Sequence, residues 1–100
     1  MDNLSKVDIT NIETKLEQGT FSRNIKFNNP HTRRFVSLYF AIDTRTEKYY
    51  LTADLKSGMT AHQLILTSSD EVRFEVYSNS INLYHVSSAN ITLHKILCYD

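Results

Sequence analysis

Ser5-Lys6-Val7-Asp8-Ile9-Thr10-Asn11-Ile12-Glu13-Thr14-Lys15-Leu16-Glu17-Gln18-Gly19 is the stretch on which the fold class turns. Ile9, Ile12 and Leu16 recur at i, i+3 and i+7, which places them on one face of a 3.6-residue period. Thr10-Asn11-Ile12-Glu13 has the form of a capping box, a hydroxyl and a carboxylate three residues apart, and Ser5 offers an earlier cap. Gly19 suits the left-handed position that ends a helix. Asn11, Thr14, Lys15 and Gln18 make the opposite face polar. The spacing predicts an amphipathic helix over about residues 5–18, lying on an apolar surface.

Beyond Gly19 the pattern changes to strands. Val36, Leu38, Phe40 and Ile42 alternate with Phe35, Ser37, Tyr39 and Ala41, so this run is apolar on both faces, as a central strand must be. Asp43-Thr44-Arg45-Thr46-Glu47 turns the chain into Tyr49, Leu51, Ala53 and Leu55, predicting a hairpin. Residues 60–68 fit a short helix capped by Thr60 or a buried strand equally well. Val72, Phe74 and Val76 then alternate with Arg73, Glu75 and Tyr77. Two further runs, Ile81–Val86 and Ile91–Tyr99, complete an expected meander. The fold expected is α+β: one domain over residues 1–100, with the N-terminal helix packed on a curved antiparallel sheet of about five to seven strands.

Composition narrows the function. The chain has 100 residues, 11 basic and 11 acidic, with two Gly, one Pro and one Cys. Collagen-like, low-complexity, disulfide-framework and membrane-spanning classes are thereby excluded as expectations. Zero net charge removes the long-range positive field that drives non-specific binding to nucleic acid or anionic membranes. A lone Cys98 forms no intrachain disulfide, and the N-terminus lacks a basic region followed by an apolar run. Both features fit a cytoplasmic protein.

No constellation of residues announces chemistry. In a hairpin turning at 87–90, His85 and His94 become diagonal neighbours with Cys98 further along the same face, but a zinc site needs three or four converging ligands. Cys98 sits in the apolar run Ile96-Leu97-Cys98-Tyr99 and reads as a structural thiol. No carboxylate stands in an apolar context that would raise its pKa for acid catalysis. Gly19 and Gly58 cannot write a phosphate-binding loop. Catalytic residues, metal ligands and cofactors are all expected to be absent.

One feature stands above background. Residues 21–34 carry four cations, Arg23, Lys26, Arg33 and Arg34, and no acid, interleaved with Phe21, Phe27 and, just beyond, Phe35. Arginine with aromatic rings serves protein contact surfaces and single-stranded nucleic acid alike. A hairpin with its Phe inward and its Arg in water is the plainer reading. Six tyrosines add a hint, since Tyr50, Tyr77 and Tyr84 alternate away from the apolar faces of their strands. By elimination the expected function is non-catalytic: a small inhibitor, such as a toxin-immunity protein or a phage- or mobile-element-encoded blocker, that covers a partner protein through Arg23, Lys26, Arg33, Arg34, Tyr50, Tyr77 and Tyr84. The alternative is single-stranded RNA or DNA binding by residues 21–35, and a small metal-dependent enzyme ranks third. An exposed edge strand would add a homodimer.

Overall fold

Residues 8–16 are a strand. The structure, a computed structural model, describes residues 7–17, 19–43, 46–65, 71–87 and 90–100. Its elements are β1 (Asp8–Leu16), β2 (Gly19–Lys26), β3 (Phe35–Ile42), β4 (Lys48–Asp54), a single 3-10 turn (Leu55–Ser57), β5 (Thr60–Ile65), β6 (Glu71–Val76), β7 (Ser80–Ser87) and β8 (Ile91–Tyr99). They form two four-stranded antiparallel sheets, ordered β1-β8-β3-β4 and β2-β7-β6-β5. The architecture is therefore all-β, a two-sheet sandwich, and the expected α+β fold with a helix over 5–18 is wrong.

The reason lies in what β1 packs against. Ile9, Thr10, Ile12 and Thr14 are β-branched, stiff at χ1 and better suited to a pleated surface than to a helix. Burial along β1 alternates strictly, ending in fully buried Leu16. Ile9, which the helical reading sent to the core with Ile12 and Leu16, is instead 58% exposed on the outer face. A bulge interrupts the ladder: pairing with β8 slips between Asn11 and Thr14, and Glu13 sits there at φ 48°. One extra residue with left-handed backbone is how a bulge re-aims an edge strand.

The expectations for 35–55 hold, and those for later segments change. β3 is an interior strand between β8 and β4, and β3 and β4 form a hairpin pairing Leu38 with Leu51. Thr60–Ile65 is a strand, not a helix. β7 and β8 do not pair, because the chain crosses between sheets there: β7 lies between β2 and β6, and β8 between β1 and β3. The expected meander thus ends at β7. The 21–35 stretch is no hairpin either, since β2 and β3 belong to different sheets.

Alternating inward residues from both sheets build the core. Val36, Leu38, Leu93 and Ile96 from the first sheet meet Val72, Phe74, Ile81 and Leu83 from the second, all fully buried. Each such side chain contributes roughly 1.5–3 kcal/mol of transfer free energy. Phe40 and Phe74 meet across the sandwich with ring centroids 5.3 Å apart. Gly58, at φ 101°, turns the chain out of the 3-10 helix toward β5, a conformation open to glycine and strained for other residues.

Candidate contact surface

Register across β1, β8, β3 and β4 decides which side chains share the first sheet's outer face. One row reads Ile9, Leu97, Ser37, Thr52; the next reads Asn11, Lys95, Tyr39, Tyr50; a third ends the sheet with Tyr99, Phe35 and Asp54. The rings stack across strands: Tyr39 on Tyr50 at 5.5 Å, and Phe35 on Tyr99 at 5.6 Å. Cations close the other sides. Lys95 Nζ lies 5.1 Å from the Tyr39 ring centre and the Arg34 guanidinium 4.8 Å from that of Phe35. Since Tyr39 lies between Lys95 and Tyr50 in its row, both of its faces are occupied. Tyr50, at the edge, is 69% exposed.

A second bulge shapes this face. β8 carries one more residue than β3 between Lys95 and Leu93, so His94 and Lys95 both point outward. His94 Nδ1 donates to the Glu13 carboxylate at 2.9 Å, tying the two bulges together. Beside them lies a depression of about 280 Å³ lined by Tyr39, Lys48, Tyr49, His94 and Lys95. The sequence signal for this bulge is the spacing of Ile91, Leu93, Ile96 and Cys98, whose alternation breaks at His94-Lys95.

The second sheet's outer face is of another kind. Gln63 donates to Glu71 at 2.6 Å, Asn24 to Asn82 at 2.7 Å, and the Arg73 guanidinium covers the Tyr84 ring at 4.9 Å. Asn82 and Tyr84 both turn to the Glu75 carboxylate, at 3.4 and 3.5 Å. The amides, Tyr84 and the two carboxylates of this face are thus engaged with one another or with its Arg73.

The seven residues expected to form one contact surface are dispersed. Tyr50 belongs to the first sheet's outer face and Tyr84 to the second's. Arg23 and Lys26 are exposed on edge strand β2. Arg33, Arg34 and Tyr77 do meet, around a cleft of about 350 Å³ with Lys56 and Met59. Yet Arg33 is buried and bound: its Nε donates to Asp8 at 3.3 Å and its Nη1 to Asp100 at 3.1 Å. Arg34 forms a bidentate pair with Asp54 at 2.7 and 2.8 Å. Two of the four cations of the 21–35 stretch are thus neutralised in place, and the stretch is not an open basic patch. Of the residues that the first sheet brings together from three strands, only Phe35 lies in the stretch singled out from sequence; Ile9, Tyr39, Lys95, Leu97 and Tyr99 do not.

Buried Asn29 positions the two arginines. Its Oδ1 accepts from the Arg33 amide at 2.9 Å, and its Nδ2 donates to the Ser78 carbonyl at 3.0 Å, which fastens the β2–β3 connection to the β6–β7 turn. The three carboxylates around the arginines are held below their ordinary range. For Asp54, donation from the Arg34 side chain and then from the Lys56 amide lowers the pKa to about 2. Asp100 is lowered first by the Arg34 backbone N–H and then by Arg33, and Asp8 first by His31 and then by Arg33.

Nothing in the arrangement gathers metal ligands: among the described residues no three His, Cys, Asp or Glu side chains converge. His85 lies on β7 in register with Phe21 and Val72, whereas His94 is on the other sheet, so the two are not neighbours. Burial pushes the Cys98 thiol up to about 11, which keeps it protonated and unreactive at neutral pH. No helix among the described residues is long and apolar enough to cross a membrane. Compared with protein-family models, curated proteins and solved structures, the chain matches none.

Proposed function

We propose that this chain is a non-catalytic protein-binding module that covers a partner's surface, as small inhibitors do, with the outer face of β1-β8-β3-β4. One observation carries the reading: this face sets Ile9, Leu97, Phe35, Tyr39, Tyr50 and Tyr99 side by side, while the opposite face is polar, with Gln63 bonded to Glu71 and Asn82 and Tyr84 to Glu75. Aromatic residues with arginine are the side chains over-represented at protein hot spots, and rigid tyrosines lose little entropy on contact. Within the seven-residue set expected from sequence, Tyr50 and Arg34 belong to this surface. A free, buried thiol and the absence of any disulfide fit action in the cytoplasm.

Protein is favoured over single-stranded nucleic acid by the state of the rings. Bases stack on free aromatic faces, whereas Tyr39 is flanked by Lys95 and Tyr50, and Phe35 has Tyr99 and Arg34 over its ring. Of the stacked rings only edge residue Tyr50 keeps a broad open face, and the rest offer ring edges, hydroxyls and aliphatic carbon, which suit another protein.

A photoreactive amino acid placed at Ile9 and, separately, at Arg73 on the other sheet tests this in cells of the native host. Position 9 is expected to yield a discrete adduct with another protein, insensitive to nuclease, and position 73 none. An adduct lost on nuclease treatment, or equal yields from both faces, would refute the assignment.

A further inference from the structure

The sandwich has four sheet edges, β1, β4, β2 and β5, and each presents unpaired backbone groups that invite another strand. Three are poor templates for self-pairing. β1 is bent by the bulge at Glu13, β2 carries Arg23 and Lys26 with no acid to match them, and β5, six residues long, has no oppositely charged ends to fix a self-pairing register. β4 differs. Lys48-Tyr49-Tyr50-Leu51-Thr52-Ala53-Asp54 pairs with β3 without a bulge, and its five central residues are uncharged.

We infer that β4 pairs antiparallel with β4 of a second copy of this chain, about a two-fold axis at Leu51. The strand is its own complement in that register. On the outer face Lys48 falls opposite Asp54 of the second copy, and Tyr50 opposite Thr52. On the inner face Tyr49 falls opposite Ala53, and Leu51 opposite itself. Opposite charges meet at both ends, and each large ring faces a small residue, the pairing that stabilises adjacent strands. A two-fold axis makes every such contact twice, as an isologous interface requires.

Two further observations point to the same edge. Lys48 has no carboxylate partner among the described residues, while Asp54, bound to Arg34 and to the Lys56 amide, keeps 45% of its side chain exposed. Between the β4 and β5 edges, Phe40, Tyr49, Leu51, Leu64 and Phe74 line a gap of about 180 Å³ that His62 and Gln63 also border. A second Leu51 arriving at this edge shields that apolar seam. The product is a continuous eight-stranded sheet whose outer aromatic face stays open, so the dimer and the proposed partner contact are independent.

Sedimentation of the full chain over about a thousandfold range of concentration tests the inference. The expected result is a monomer–dimer equilibrium that the exposed substitution Lys48→Asp weakens by about tenfold or more, because two attractive pairs become two repulsive ones. Leu51→Cys is expected to form an intermolecular disulfide under mild oxidation, since residues on the axis lie at disulfide distance. Ala61→Cys, on the β5 edge, is expected not to, and buried Cys98 does not compete. A folded wild-type chain that stays monomeric throughout would overturn the inference. So would a dimer indifferent to Lys48→Asp, or cross-linking at position 61 as efficient as at 51. Should Leu51→Cys fail to fold, the response to Lys48→Asp decides alone.

Discussion

Phe74→Ala lowers the unfolding free energy by about 3–5 kcal/mol. The ring is fully buried, pairs in register with His62 and Leu83 inside the second sheet, and reaches Phe40 of the first. Its loss removes a contact between the sheets and leaves a cavity that rigid backbone ladders on both sides cannot close. For a domain stabilised by about 5–15 kcal/mol this is a large share of the whole. Urea unfolding checks it: the midpoint falls with little change in slope, because the surface exposed on unfolding is the same. A shift under about 1 kcal/mol would mean that the two sheets do not meet at Phe74 as described.

Arg33→Met has the second-largest effect, and it depends on pH. The guanidinium joins Asp8, at the start of β1, to Asp100, just past β8. Removing it leaves two carboxylates without their shared cation, and the thermal midpoint drops by several degrees at neutral pH. The sign follows from the lowered carboxylates. Asp8, Asp54 and Asp100 have folded pKa values below the ordinary 3.8, so their contribution is complete above that value and is lost as pH falls through the folded pKa, down to about 2 for Asp54. The wild-type protein therefore loses stability steeply below about pH 4. In Arg33→Met the slope is shallower, because Asp8 and Asp100 lose the side-chain partner that Arg33 gave them, while the Asp54–Arg34 pair remains. Thermal melts of both proteins from neutral pH to the acid limit make the comparison, and parallel curves would contradict it.

How much of this could be read from the residues alone depends on the range of the determining contact. The β3–β4 hairpin was legible because turn and alternation are local, and Val36, Leu38, Phe40 and Ile42 all lie in the core. β1 was not. Three isoleucine and leucine positions at helical spacing outweighed the β-branched content, and the bulge at Glu13 is set by pairing with β8, over eighty residues away. The crossing between β7 and β8 is a choice of sheet, which no alternation pattern within either strand encodes. The contact surface was hidden for the same reason: Lys95, Tyr39 and Tyr50 become a row only once register is known. Arg33 looked available because its partners, Asp8 and Asp100, stand at opposite ends of the sequence.

The pairing of β1 with β8 makes the fold all-β and puts Ile9, Leu97 and Lys95 on one face. Backbone nuclear Overhauser contacts in the full chain address it directly. The structure predicts cross-strand contacts joining Ile9 to Leu97, Asn11 to Lys95 and Thr14 to Leu93. A ladder of contacts between residues three apart along 8–16, with none to β8, would restore the helix and remove the surface built upon this strand.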